Sequence, residues 1–283
     1  MKRLTLSLFA ILLPIALGSS TDKPAGGNSP RPASGSLETL HASSRQPLWA
    51  VPRIIVDDSL RDAGQVGSAN WSGYAATAAT PTKDTVTDVI GTWTVPAVSG
   101  AQGYSAVWVG IDGFDDGTVE QLGTMQAVVA SGRRGTTAEY YAWVEMYPAP
   151  MVQLPYSVSP GDTITAAVSC SGTTFTVTMA DVANGVTKWS YTPATTQVTA
   201  NEMSAEWVVE APSDQFGILP LADFGTVNFT GCAAIIGASG TISAFNWDAI
   251  TMEEVSRRMT TVYAQPSALS PDGSAFSVKW KNP

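Results

Sequence analysis

Histidine is almost missing from this sequence: its 283 residues contain one, His41. A domain that begins after His41 cannot use Ser-His-Asp or Cys-His catalysis, since both need an imidazole base. The usual zinc sites are excluded as well, because only Cys170 and Cys232 could supply other soft ligands. These two cysteines are better explained by a disulfide in an exported protein, although the sequence leaves their geometry open. No phosphate-binding loop or dinucleotide-binding glycine pattern occurs, so we predict no metal and no cofactor, and catalysis by carboxylates, amides, hydroxyls or an added ligand.

Long apolar runs are confined to the N-terminus. Lys2 and Arg3 precede the apolar stretch LTLSLFAILLPIALG, which ends in a small-x-small cleavage pattern at residues 16–18. No later stretch is continuously apolar over the roughly 20 residues that a membrane span needs. We therefore predict a signal peptide over residues 1–18, a secreted protein, and no membrane attachment after cleavage.

Basic residues are scarce in most of the chain. Seven of the 15 Lys and Arg residues and five of the 24 Asp and Glu residues precede Ala69, so the remainder carries eight basic and 19 acidic residues, a net charge of −11. Such a domain would repel nucleic acid and anionic membranes. A Ser-, Pro- and Gly-rich stretch follows residue 18, and the composition changes clearly at Ala69. We predict a pro-segment or linker over residues 19–67 and one domain, expected to be monomeric, over residues 68–283.

The second part of the chain has the composition of a β protein. It is rich in Thr, Val, Trp and Tyr, and turn signals such as SPGD, ANG and SPDG recur at short intervals. Many strands without strong helical periodicity predict an all-β fold, a two-sheet antiparallel β-sandwich. The segment DAITMEEVSRRM has some helical character and is equally compatible with an edge strand or a loop. Eleven segments are predicted as strands: NWSGYAAT, TVTDVIGTWTVP, YSAVWVGIDG, TVEQLGTMQAVV, TAEYYAWVEMYP, DTITAAVSC, TFTVTMADV, VTKWSYT, MSAEWVVEAP, TVNFTGCAAII and FSVKW.

The two faces of several strands differ in chemistry. Small aliphatic side chains occupy one face of AVWVGIDG and YYAWVEMYP and fit a core between sheets. Aromatic and acidic side chains occupy the other face, an arrangement that suits an exposed groove for an extended polymer. Cover by a loop or by the second sheet is the alternative. The residues on this second face are Trp108, Gly110 and Asp112 in the first segment, and Tyr141, Trp143, Glu145 and Tyr147 in the second.

The stretch MSAEWVVEAP alternates in the same way. Glu206 and Glu210 share one face, opposite Ala205, Trp207 and Val209. Periodicity alone makes both glutamates ordinary solvated surface groups. In a domain without histidine, however, a carboxylate is the natural candidate for acid–base chemistry.

Six blocks of the sequence resemble the glutamic peptidases, also called eqolisins or peptidase family G1. The blocks NWSGYA, TWTVP, VWVGIDG, EQLGT, YYAWVEMYP and SAEWVVE stand in the order and approximate spacing of that family. They are more similar to a prokaryotic branch than to the fungal enzymes. The resemblance implies a β-sandwich of the concanavalin A-like or jelly-roll type, no cofactor, and polypeptide substrates cleaved in acid.

The resemblance also implies the site residues. The catalytic pair of the family falls on Gln121 in EQLGT and on Glu206 in SAEWVVE, not on Glu210. Glu206 would take a proton from water and return it to the leaving amine, while the Gln121 amide would stabilise the oxyanion. The family's supporting positions fall on Trp71, Trp108, Asp112, Trp143, Glu145 and Tyr147. The three tryptophans are equally compatible with a buried core, and Asp112 with a simple turn.

One departure concerns the surroundings of Gln121. Fungal members usually carry an acidic residue shortly after the glutamine block, where this chain has Met125. A thioether cannot accept hydrogen bonds as a carboxylate does, so the support of Gln121 must differ. Gln126 is the predicted substitute.

Two other functions fit the same pattern. A glycoside hydrolase or a carbohydrate-binding sandwich would also have a groove lined with Trp and Tyr. A glycosidase needs two carboxyls about 5–9.5 Å apart, and Glu145 and Glu206 are candidates. An inactive binding or envelope protein on the same fold is the second alternative.

Overall fold

Strands separated by turns make up nearly all of the structure, in keeping with the richness in β-branched and aromatic residues. The computed structural model describes residues 47–133, 135–183, 186–191, 196–197, 199–257 and 259–281. The predicted signal peptide, His41 and the pro-segment up to residue 46 lie outside the described residues.

The strands, in chain order, are β1 Ile55–Asp57, β2 Gln65–Ser68, β3 Trp71–Thr77, β4 Val86–Thr94, β5 Gly103–Ile111, β6 Val119–Ser131, β7 Gly135–Tyr147, β8 Val152–Ser157, β9 Thr163–Ser171, β10 Thr174–Ala183, β11 Val186–Tyr191, β12 Thr196–Gln197, β13 Ser204–Glu210, β14 Ser213–Asp214, β15 Gly217–Ile218, β16 Thr226–Ile236, β17 Ala238–Thr241, β18 Asn246–Ser256, β19 Met259–Pro266 and β20 Phe276–Trp280. Two 3₁₀ turns occur at Arg61–Ala63 and Ile242–Ala244. In the described part of the chain, no helix is long and apolar enough to cross a membrane.

All eleven predicted strands are present. The ambiguous segment DAITMEEVSRRM lies largely in β18, because β18 has partners along its length: β3 and β2 at one end and β19 at the other. These ladder hydrogen bonds outweigh the helix-forming tendency of its Met and Glu residues. The strands that were not predicted are β8 and β19 and the short strands β1, β2, β12, β14, β15 and β17.

Eighteen of the strands form a continuous hydrogen-bonded sheet that folds over itself into two layers, and β14 and β15 pair separately. The first layer runs β8-β7-β6-β5-β13-β3-β18, and the second runs β20-β16-β4-β9-β10-β11. Strand β19 pairs with both β18 and β20 and so connects the layers. Neighbours are antiparallel except β2 and β18. The predicted antiparallel β-sandwich is therefore confirmed.

The central strands of the first layer, β3, β5, β6 and β13, bury both faces along most of their length. The inner face packs Val107, Val109, Val144 and Val209 against aromatic residues of the second layer such as Phe229. The outer face forms a second buried cluster, and this outer cluster includes Trp71, Trp108, Met125, Trp143 and Val208. The predicted division between aliphatic and aromatic faces is confirmed, but the aromatic face is covered.

Both cysteines are free thiols, so the disulfide that the sequence left open is not formed. Cys170 lies on β9 and Cys232 on β16, and β4 separates these two strands. Backbones two strands apart are separated by about 10 Å, beyond the reach of a disulfide. The Cys170 thiol instead donates to the Gly172 carbonyl at 3.1 Å.

Close packing under Trp108 makes Gly123 a critical position. A Cβ atom added there would lie 2.2 Å from the Val107 carbonyl oxygen and 2.6 Å from the Trp108 Cβ. We expect Gly123→Ala to lower the free energy of unfolding by about 1–3 kcal/mol or more, measured by urea denaturation. Gly117→Ala is the matched control, since nothing lies within 4 Å of a Cβ there. Equal stability of the two variants would contradict this packing.

Candidate active site

Gln121 and Glu206 lie in one row across neighbouring strands. Glu206 on β13 is opposite Gly110 on β5, Gly110 is opposite Gln121 on β6, and Gln121 is opposite Glu145 on β7. Paired residues of antiparallel strands point to the same side of a sheet. The register therefore brings two carboxyls and one amide onto the outer face of the first layer.

Gly110 leaves a gap in this row. A Cβ atom there would lie 3.0 Å from the Gln121 Cβ and 3.0 Å from Cζ3 of Trp108. The missing side chain therefore lets the Gln121 side chain and the Trp108 ring approach the β5 backbone between Gln121 and Glu206.

Gln121 is buried and held by its amide nitrogen. Its Nε2 donates to the Ala50 carbonyl oxygen at 2.6 Å and to Glu145 Oε2 at 3.1 Å. Its Oε1 has no hydrogen-bond partner among the described residues. The NH₂ group therefore faces a peptide carbonyl, in the position of an oxyanion donor.

The predicted support of Gln121 by Gln126 is wrong. Residues 121 and 126 differ by an odd number along β6, so their side chains point to opposite faces. Gln126 donates instead to Thr124 Oγ1 at 2.6 Å, and Met125 is buried in the outer cluster. Glu145, on the neighbouring strand, supplies the carboxyl that contacts Gln121.

Glu206 is fully buried, and neither of its carboxyl oxygens has a hydrogen bond within the described structure. Burial raises the pKa of Glu206 well above its ordinary value, and the negative charges of Asp112, Asp116 and Glu120 raise it further. The nearby Ser204 hydroxyl lowers the pKa in part, without forming a hydrogen bond of normal geometry to Glu206. Glu206 is thus an unengaged carboxyl that holds its proton strongly while it is covered.

Glu210 is also fully buried but is fully engaged. It accepts hydrogen bonds from Trp108 Nε1 at 3.0 Å, Asn70 Nδ2 at 3.3 Å and the Val51 amide at 2.9 Å. Burial raises the pKa of Glu210, while these donors lower it. The sequence marked Glu210 only as a neighbour of Glu206 on the same face, and the donors that fix it come from distant segments.

The tryptophans form the floor of the site. Trp71, Trp108 and Trp143 are completely buried, and the rings of Trp71 and Trp108 meet edge to face with centroids 4.9 Å apart. Trp71 Nε1 donates to the Val51 carbonyl at 2.9 Å. Tyr147 is half-buried against the same cluster. The expected exposed groove is therefore a covered one.

Asp112 anchors the chain that leads into β13. It has a positive φ of 73° at the end of β5, and its carboxylate accepts the amides of Asn201, Glu202 and Met203, each at 2.8 Å. Burial and the Asp116 charge raise the pKa of Asp112 to about 7, against the effect of these three donors. Asp112 thus positions the strand that carries Glu206.

Residues 48–54, here called the covering segment, close the outer face. The Ala50 amide donates to Glu145 Oε2 at 2.9 Å and the Ile54 amide to Asn70 Oδ1 at 2.8 Å. At its end the Arg53 guanidinium pairs with Asp58 at 2.8 Å and lies over the Phe114 ring at 4.4 Å. The sequence placed these residues in the pro-segment and gave no signal for their contacts.

The fold and the site define a class: an antiparallel β-sandwich with an amide and buried carboxyls on one sheet face. The chain belongs to the Peptidase A4 family, the glutamic peptidases, whose family model matches residues 69–272. This confirms the family resemblance of the six sequence blocks.

Known proteins of this kind are similar to the chain. Aspergillopepsin-2 of Aspergillus niger is 30% identical over 195 residues, which are 61% of this chain and 66% of that protein, just under two thirds of its length. Scytalido-glutamic peptidase, solved with a transition state analog inhibitor, has a TM-score of 0.58 at 22% identity, covering 75% of this chain and 98% of that one. SCP-B, a member of the eqolisin family solved with the tripeptide Ala-Ile-His, has a TM-score of 0.53 at 21% identity, with coverage of 75% and 98%. The structural likenesses confirm the sandwich fold.

A further buried carboxyl, Glu120, points to the inner face beside the site. It is completely buried, and neither of its oxygens has a hydrogen bond in the described part of the chain. Burial raises its pKa from 4.5 to about 9, with smaller contributions from nearby acidic groups including Asp112. The folded chain binds the Glu120 proton more tightly than the unfolded chain does. The contribution of this proton to the free energy of unfolding is therefore complete below about pH 4.5 and is lost as the pH rises toward 9.

We expect the free energy of unfolding to fall by up to about 3 kcal/mol between about pH 5 and pH 7 through Glu120. Glu120→Gln should remove this dependence and be more stable than wild type at neutral pH. Urea denaturation at several pH values measures it, with Glu254→Gln at an exposed position as the control. Identical pH dependence in Glu120→Gln and wild type would contradict the assignment.

Proposed function

We propose that the protein is a secreted, acid-active endopeptidase that hydrolyses polypeptides with Glu206 and Gln121. The observation that carries this proposal is the hydrogen bond of 2.6 Å from Gln121 Nε2 to the Ala50 carbonyl, on the same sheet face as the unengaged Glu206. Membership of the glutamic peptidase family and similarity to aspergillopepsin-2 support it.

The proposed reaction uses one carboxyl for both proton transfers. Ionised Glu206 takes a proton from water as the water oxygen adds to the peptide carbonyl carbon. The Gln121 NH₂ group donates to the oxyanion that forms. The protonated Glu206 then gives its proton to the leaving nitrogen, and the carbon–nitrogen bond breaks. An amide suits the second position because it does not ionise beside the oxyanion.

Glu145 and the supporting residues have positioning roles in this scheme. Glu145 holds the Gln121 nitrogen at 3.1 Å, Asp112 holds the approach to β13, and the tryptophans form a dry floor. A dry surrounding strengthens the hydrogen bond to the oxyanion.

The proposed precursor has a signal peptide over residues 1–18 and a pro-segment over residues 19–67 that covers the site until its removal. The covering segment lies within this range, and its backbone contacts Glu145, Glu210 and Gln121. Entry of water beside Glu206, first as the covering segment loosens and then after it leaves, would lower the pKa of Glu206 toward the ordinary range and so provide the ionised base.

The glycosidase alternative has weaker support from the geometry. Glu145 and Glu206 start from backbones three strand spacings apart, about 14 Å, and Gln121 lies between them. Incubation with denatured protein and with a β-glucan, side by side, separates the two functions. Sugar release without proteolysis would contradict the proposal.

We expect Glu206→Gln to lower kcat/KM for a peptide substrate by about 10²–10⁴-fold and Gln121→Ala by about 10²–10³-fold. Each variant is first incubated in acid with a trace of tagged wild type, which is then removed, and only chains that have lost the covering segment by intact mass are assayed. Glu254→Gln, on the exposed part of β18, serves as the control and should keep full activity.

The pH–rate profile provides the second readout. On the acid side of the profile, wild-type activity should rise with pH as one carboxyl ionises. This rise should be absent in Glu206→Gln. An unchanged profile in Glu206→Gln would exclude Glu206 as the base, and peptide hydrolysis by both variants at the wild-type rate would exclude the pair.

A further inference from the structure

The covering segment is held through its backbone. The Ala50 amide donates to Glu145, the Ala50 carbonyl accepts from Gln121, the Val51 amide donates to Glu210, and the Val51 carbonyl accepts from Trp71. These four successive groups span the peptide bond between Ala50 and Val51. Recognition of main-chain groups is how a site binds extended peptides of varied sequence.

Among the carbonyls of this segment, the one at Ala50 contacts Gln121, a member of the proposed catalytic pair. The carbonyls of Leu48 and Trp49 accept from the backbone amides of Met151 and Ser213. The Val51 carbonyl accepts from neutral side chains outside the pair. The next bond along the chain leads into Pro52, so its leaving nitrogen would be a tertiary amide. The geometry thus singles out one bond.

We propose that the Ala50–Val51 bond is the first substrate of this site, cleaved within the same molecule when the precursor is acidified. This rests on the proposed function. Water supplies the oxygen that joins the Ala50 carbonyl carbon, and its proton passes through Glu206 to the Val51 nitrogen as the carbon–nitrogen bond breaks. The products are a carboxyl group at Ala50 and an amino group at Val51.

The two halves of the cut segment are anchored differently. Upstream of the bond, Trp49 exchanges two backbone hydrogen bonds with Ser213 but no ion pair is seen at the described residues 47–50, and beyond Leu48 a cavity of about 600 Å³ lies along the same sheet face. On the other side, Arg53 is 6% exposed and pairs with Asp58, and its amide donates to the Gly113 carbonyl. We expect the half that ends at Ala50 to leave first, so that a chain beginning at Val51 accumulates as an intermediate.

The test follows new N-termini in the full-length protein. Wild type is purified at neutral pH and acidified, and its N-termini are mapped by chemical labelling and intact mass over time. The expected first product begins at Val51, with a rate unchanged by tenfold dilution, and Glu206→Gln yields no such product. Hydrolysis of an unrelated peptide is measured on the same samples.

The outcomes separate the two proposals. A first cut elsewhere, or a rate that falls with dilution, while the unrelated peptide is hydrolysed, would overturn the assignment of this bond and leave the proposed function intact. Absence of all cleavage, of chain and peptide alike, would contradict the proposed function itself.

A matched pair of variants tests the contact at Val51. Val51→Pro removes the amide that donates to Glu210 and makes the leaving nitrogen tertiary, so cleavage at this bond should slow at least tenfold. Val51→Ile keeps the amide and should be cleaved at the wild-type rate. Cleavage of Val51→Pro at this bond at the wild-type rate would overturn the proposal. If Val51→Pro does not fold, the N-terminus mapped in the wild-type protein still tests it.

Discussion

The register of β13, β5, β6 and β7 is the constraint on which the rest of the site depends. It brings Glu206, Gly110, Gln121 and Glu145 into one row. A slip of one residue in any of these strands would send its side chains to the opposite face. The register is fixed from both sides, because aliphatic residues pack between the layers and tryptophans pack on the outer face.

Burial of carboxyl groups is the second feature that shapes the site. Glu145, Glu206 and Glu210 are buried on the outer face of the first layer, and burial raises the pKa of each. Glu145 and Glu210 accept backbone amides of that segment, whereas Glu206 accepts none in the described structure. The covered form therefore favours the protonated carboxyls, and the one without partners is the group free to exchange a proton once water enters.

The alternation of side-chain types along the chain predicted the strands well wherever that alternation was regular. Alternation in SAEWVVE and YYAWVEMYP placed each side chain on the correct face, because the period of two is a property of the extended backbone. It left β18 open between a helix, an edge strand and a loop, because the strands that pair with β18 include distant ones that no local pattern reveals. The predicted role of Gln126 was also wrong. It rested on residue type, whereas the odd spacing between Gln121 and Gln126 along β6 places their side chains on opposite faces.

The sequence by itself determined the β class, the absence of histidine from the domain, the chemistry of each strand face and the family. Composition, alternation and ordered motifs are readable along the chain without knowledge of any contact. Only the tertiary structure decided that Glu145 holds Gln121, that Glu210 is engaged while Glu206 is not, and that residues 48–54 cover the site. These contacts join segments far apart in sequence, and they depend on register and docking, which carry no local signal.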